Sequence, residues 1–260
     1  MAKTKTVFYC TACGNESPKW QGRCTACGAW NTMEEHIEKP AAPGKAKSSP
    51  VGMSRKPQRI REVDCDAEIR FSTGMGELDR VLGGGLVPGA VILLAGEPGV
   101  GKSTLLLDVA ARVAGLGRDV LYVTGEESTA QVKLRAERIG AVSDNLYLSA
   151  ETDLSQALGQ VEQVSPGLLI VDSVQTLSST AVDGSAGGVS QVREVAASLI
   201  NAAKTRNMTT LLVGHVTKDG SIAGPRLLEH LVDVVCQFDG DRHSRLRLLR
   251  AVKNRYGPTD

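Results

Sequence analysis

The residues Gly96-Glu97-Pro98-Gly99-Val100-Gly101-Lys102-Ser103 satisfy the spacing G-x-x-x-x-G-K-[ST] in full. They follow the apolar stretch Ala90–Ala95 and precede a helix-like run from Thr104 to Ala110. Glycines at such a place let backbone N–H groups converge on phosphate oxygens, and the helix that follows points its positive end at the anion. Gly96 through Thr104 are therefore read as a nucleotide-binding loop, with Lys102 reaching the β- and γ-phosphates and Ser103 offering its hydroxyl to Mg²⁺. A second set has metal-ligand spacing. Cys10-x2-Cys13 and Cys24-x2-Cys27, separated by ten residues, present two thiolate pairs to one tetrahedral ion. Zn²⁺ is the expected metal, and iron is the alternative for the same ligands. A pair of disulfides is the competing reading, which a reducing compartment disfavours. A closed tetrathiolate has no open coordination position, so the metal is expected to be structural.

Hydrolysis at the loop needs a carboxylate for the Mg²⁺ shell, a base for water and a group that senses the γ-phosphate. Asp172 ends the apolar strand Leu168–Val171 and is the candidate for the first, although an Asp there is also a common cap or turn residue. Glu126 and Glu127 follow the strand Val120–Thr124, and the residues alone do not choose between them. His215 ends the strand Thr210–Gly214, where a hydrogen-bonded structural histidine is the ordinary occupant.

These residues need a frame. Further strands are expected at Leu146–Leu148, Val232–Phe238 and Leu246–Val252. Ser128 and Gln131 have the form of a capping box opening a helix to about Ile139, and Val189–Arg206 places Val192, Val195, Ala196, Leu199 and Ala203 on one helical face. The alternation of strand and helix predicts an α/β fold, with a mostly parallel sheet covered on both faces. By composition the chain divides into a Cys-rich zinc-binding head (1–35), a linker (36–70) and an α/β body (71–260). Between Lys39 and Arg61 the linker carries Pro40, Pro43, Pro50 and Pro57 and no acidic residue, so it cannot bury a core.

Hydrophobic residues make up 42% and charged residues 23%, with a formal net charge of +1. There is no global basic excess, so any nucleic-acid contact must be local. The absence of a spanning-length apolar run or a signal-type N-terminus leads to the expectation of a cytoplasmic protein with no membrane association. Cys236 reads as a buried small hydrophobe, and Cys65 has no assigned role.

Ser72-Thr73-Gly74, Glu77-Leu78-Asp79, Leu82-Gly83-Gly84-Gly85-Leu86-Val87-Pro88-Gly89 and the phosphate loop together resemble the RecA-like P-loop ATPases, including their KaiC branch. The Cys₄ head, Thr124–Ser128, Gly214–Gly220, Ala223–Arg226, Leu228-Glu229-His230 and Lys253-Asn254-Arg255-Tyr256-Gly257 narrow the resemblance to the bacterial RadA (Sms) family of recombination and repair ATPases. That resemblance implies a RecA-like core using ATP, Mg²⁺ and Zn²⁺. It implies a homo-hexameric ring that moves on single-stranded DNA, promotes branch migration of branched intermediates and acts alongside the RecA recombinase. It assigns water activation to Glu126 and γ-phosphate sensing to His215. Lys253 and Arg255, two apart and on one face of a strand end, become a basic finger acting in a neighbour's site. DNA is expected on the loops Thr176–Gly188 and Lys218–Arg226, which lack aromatic residues and so suit phosphate contacts. Family members continue into a Lon-like domain, whereas the sequence stops at Asp260. The competing readings are a KaiC-like phosphotransfer ATPase and a zinc-ribbon adaptor that uses ATP as a switch.

Overall fold

The computed structural model describes residues 5–12, 15–38, 59–62, 70–215, 225–240 and 246–259. Cys13, Cys65 and residues 216–224 fall outside them, and the side chain of Arg226 likewise.

The head is a three-stranded antiparallel sheet of β1 (Lys5–Cys10), β2 (Glu16–Ser17) and β3 (Met33–Glu38), in the order β2-β1-β3. After α1 (Gly76–Val81), the body runs β4 (Val91–Gly96), α2 (Lys102–Gly115), β5 (Val120–Thr124), α3 (Thr129–Ile139), β6 (Leu146–Ala150), α4 (Leu154–Val164), β7 (Leu168–Asp172), α5 (Val189–Arg206), β8 (Thr209–His215), α6 (Pro225–Glu229), β9 (Val234–Gly240) and β10 (Arg247–Asn254). Its seven strands order as β10-β9-β4-β8-β7-β5-β6, and only β10 runs antiparallel to its neighbour.

Every residue of β5 and β7 is buried, which is why these strands read as unbroken apolar runs rather than alternating ones. Side chains of period two then divide the core. Ile92, Leu94, Tyr122 and Ile170 face α2 and α3 on one side, whereas Leu93, Ala95, Leu121 and Leu169 face α4, α5 and α6 on the other. The expected face of α5 is buried throughout, from Val192 to Ala203. Ser128 and Gln131 form the capping box at the start of α3. Helix α4 was not among the sequence expectations, although Asp153 caps it through the Gln156 N–H and Leu154, Ala157 and Val161 recur on its buried face.

Parallel pairing sets the strand ends in line. Gly96 lies opposite His215, and Thr124 lies opposite Asp172. The phosphate loop, Glu126, Asp172 and His215 thus gather along the carboxyl edge of the sheet, where open α/β sheets bind their ligands.

Candidate active site

The loop after β4 turns sharply into α2. Gly101, the residue before the helix, adopts φ 106°, a left-handed conformation that a side chain would strain. Gly96 is required for a different reason: a Cβ there would lie 2.3 Å from the Phe238 carbonyl oxygen of β9. The loop is therefore packed directly against the neighbouring strand.

Lys102 is 3% exposed, and its Nζ donates to the carbonyls of Gly96 and Glu97 at 2.8 Å each. Burial pushes its pKa down, opposed by the charges of Asp172 and Glu126, which raise it. Those same two carboxylates define the other side of the site. Asp172 is buried at the end of β7, and its Oδ2 accepts a hydrogen bond from the Tyr122 phenol at 2.7 Å. Tyr122 pairs with Ile170 in register, so its ring runs along the sheet face toward the residue two further on. Burial and the adjoining carboxylate raise the phenol's pKa well above its ordinary value, so Tyr122 remains a donor. Asp172 at the end of β7 and Ser103 in the first turn of α2 each offer an oxygen of the kind Mg²⁺ takes.

The adjacent glutamates diverge. Glu127 Oε2 is paired with Arg135 Nη1 of α3 at 2.6 Å. Glu126 Oε1 instead faces the sheet edge, accepting from Ser173 Oγ at 3.0 Å and lying 3.1 Å from His215 Nε2. His215 Nδ1 is buried without a partner among the described residues, so the ring's polar contact is concentrated on Glu126. Gln175 holds the histidine's backbone from both sides, donating to its carbonyl at 3.3 Å and accepting from its N–H at 3.4 Å. The arrangement links β5, β7 and β8 through polar groups at their carboxyl ends.

Lys253 and Arg255 are not part of this cluster. Both lie at the opposite edge of the sheet, against the segment from Glu229 to Asp233. The loop 176–188 returns to the body through Gln191, whose Nε2 donates to Ser179 and Val182 carbonyls. Sequence reasoning did not single out Tyr122, Ser173, Gln175 or Asp233. Ser173 adjoins Asp172 and was within reach of the motif, while the others are defined by hydrogen bonds to residues far away in the sequence.

In the head, the sulfurs of Cys10, Cys24 and Cys27 lie within 4.8 Å of one another, and Cys10 and Cys27 are 3.6 Å apart. A disulfide would require about 2.05 Å. Sulfurs around tetrahedral zinc at about 2.3 Å are about 3.8 Å apart, so the spacing fits a shared metal ion. The Gly28 N–H closes the second turn onto the Cys24 carbonyl at 2.9 Å with φ 73°, as a thiolate knuckle needs. Cys236 is 2% exposed, and burial pushes its thiol up to about 12, in keeping with a packing role.

Two family models match the chain. Residues 8–35 match the rubredoxin metal binding domain, and residues 56–221 match the AAA domain. The chain is 50% identical over 262 residues to the DNA repair protein RadA of Bacillus subtilis strain 168, and 50% identical over 260 residues to that of Streptococcus pyogenes serotype M6. It is 53% identical over 262 residues to the RadA of Mycobacterium tuberculosis strain CDC 1551. All of this chain is covered in each case, but it spans only 57%, 57% and 54% of the three relatives' lengths. Among the described residues no helix is long and apolar enough to cross a membrane. With a phosphate loop, a carboxylate edge and a cysteine cluster in one frame, and about half of its residues shared with RadA proteins along its full length, the chain belongs to the AAA-domain family.

Proposed function

We propose that this chain is the zinc-binding and ATPase portion of a DNA-stimulated motor for recombination and repair, moving on single-stranded DNA and promoting branch migration. The observation that carries the reading is the Glu126 carboxylate held between Ser173 and His215, at the edge that bears the phosphate loop. Glu126 orients and deprotonates the attacking water. His215 reports the state of that carboxylate to the segment after β8. Glu127, committed to Arg135, takes no part in chemistry. Lys102 and the loop N–H groups would hold the phosphates, and Ser103 and Asp172 would hold Mg²⁺, which would supply charge neutralisation. Lys253 and Arg255 complete the site of a neighbouring copy in a homo-hexamer. The head, residues 1–35, carries structural zinc through Cys10, Cys13, Cys24 and Cys27, residues 36–70 tether it to the body at 71–260, and DNA lies on the loops after Asp172 and His215. A cytoplasmic setting and action beside a RecA recombinase follow from the same reading.

The test is Glu126→Gln measured beside Glu127→Gln. The amide preserves shape but cannot take the proton, so Glu126→Gln should bind ATP as the wild type does and lose at least about 100-fold in turnover. Glu127→Gln should retain turnover that rises with single-stranded DNA. Active Glu126→Gln with inactive Glu127→Gln would overturn the assignment, and turnover indifferent to DNA would remove the motor reading.

A further inference from the structure

Strand register separates Arg255 from its own phosphate loop. β10 runs antiparallel to β9 with Asn254 opposite Val234, and Val234 lies beside Ile92 near the start of β4. The phosphate loop leaves the other end of β4, about 13 Å further along the strand from Ile92 at about 3.3 Å per residue, and two strand spacings to the side. The guanidinium does not span that distance.

The two basic residues have different partners. Lys253 Nζ donates to the carbonyls of Glu229 at 2.7 Å and Val232 at 2.8 Å, which fastens the turn after α6. Arg255 Nη1 donates to Asp233 Oδ1 at 3.1 Å, and its backbone N–H donates to the Asp233 carbonyl at 3.2 Å, while the side chain remains 55% exposed. The Asp233 side chain is 4% exposed. Its Oδ2 accepts from Lys204 Nζ of α5 at 2.5 Å and from the Val91 N–H at the start of β4 at 2.9 Å. Burial would push this carboxyl up, but the Lys204 hydrogen bond, the Val91 N–H and the charges of Lys204 and Arg255 prevail and hold it below the usual carboxylate range. Two cations on one carboxylate leave a positive charge over. Arg255, with one edge of its fork bonded and the rest in solvent, presents that charge outward.

We propose that Asp233 is the positioning residue that seats Arg255, bonding one edge of the guanidinium so that the other meets the phosphate oxygens of a nucleotide on a neighbouring copy. This rests on the reading of Arg255 as a finger acting between copies. A planar fork bonded along one edge to a carboxylate aims its other edge in a fixed direction for bidentate contact with a phosphate, an orientation that a rotatable ammonium does not impose. Because Oδ2 holds the first N–H of β4, the seat is fixed to the strand that carries the chain's own phosphate loop.

The experiment mixes variants in pairs, with mixed assembly verified by co-purification of differently tagged full chains. Asp233→Asn is isosteric and keeps an acceptor for Val91 while losing the charge. Alone it should bind ATP within about 2-fold of the wild type and lose at least about 10-fold in turnover. Mixed with Lys102→Ala it should regain activity, because one chain supplies an intact loop and the other a seated finger. Mixed with Arg255→Ala it should stay inactive, since neither chain seats a finger. Wild-type turnover by Asp233→Asn, or an inactive Asp233→Asn that Lys102→Ala fails to restore, overturns the seat. If Lys102→Ala and Arg255→Ala themselves fail to restore each other, the reading of a finger between copies falls, and the seat with it. Should Asp233→Asn not fold, Arg255→Lys decides: a loss of about 10-fold supports the bridging fork, and wild-type turnover overturns it.

Discussion

The head and the body are held by opposite means. In the head, the buried apolar cluster among the described residues consists of Cys10, Cys24 and Met33, so the side chains that would form a core are largely metal ligands. In the body, each face of a seven-stranded sheet has its own extended apolar cluster, and the candidate catalytic groups sit on an edge that is already rigid. A segment of this size cannot bury enough surface to offset chain entropy, whereas the body can. On the proposed function, metal would be a condition of folding in one region and a condition of chemistry in the other.

The sharpest way to break this contrast is to remove zinc. Structural zinc binding is worth about 10–16 kcal/mol in isolated small modules. Chelation or Cys24→Ser should therefore abolish protection of the β1 and β3 amides in hydrogen exchange while leaving the main unfolding transition of the body in place. Loss of both together would show that the regions share one cooperative unit. A smaller perturbation comes from the body's own core. Leu107 is fully buried in α2, and Leu107→Ala should cost about 2–5 kcal/mol in denaturant unfolding with the zinc content unchanged. A lowered metal content would contradict the division.

Acid should separate the regions by the smallest margin. Thiolates must give up zinc as they protonate, so metal affinity falls steadily with pH. Asp233 has a folded-state pKa below its unfolded value, so its contribution is present above about pH 3.9 and lost as pH falls through the lower folded value. Near pH 5 the head should release zinc while the Asp233 contribution persists, measurable as metal release ahead of the body's acid transition. The reverse order would show that Asp233 is weakly held.

Where function was legible in the sequence, the signal was local. Lys102 and Ser103 lie in one contiguous motif, Asp172 and His215 each end an apolar strand, and Glu126 follows another by two residues, so strand ends brought them to one edge. The choice of Glu126 over Glu127 rested on the family resemblance, and the feature that separates them in space is Arg135, eight positions beyond Glu127 and on the next helix. Tyr122 looked like one more apolar-strand residue because its hydroxyl partner lies 50 positions away. Asp233 was hidden for the same reason, since Val91, Lys204 and Arg255 converge on it from three elements. Helix α4 is a different omission, because its cap and its spacing were both local.

The single antiparallel strand at the sheet's margin has a consequence for symmetry. It carries Arg255 to one rim of the sheet while the phosphate loop occupies the other. A contact in which one rim of a copy completes the opposite rim of the next, with no reciprocal completion at the same contact, is heterologous. Such contacts propagate in one direction, and they either close into a ring or run on as a filament. If Arg255 acts between copies as proposed, an open row has one terminal loop that no finger reaches. Only closure supplies every loop, and specific activity per chain would then rise at the step from open row to closed ring.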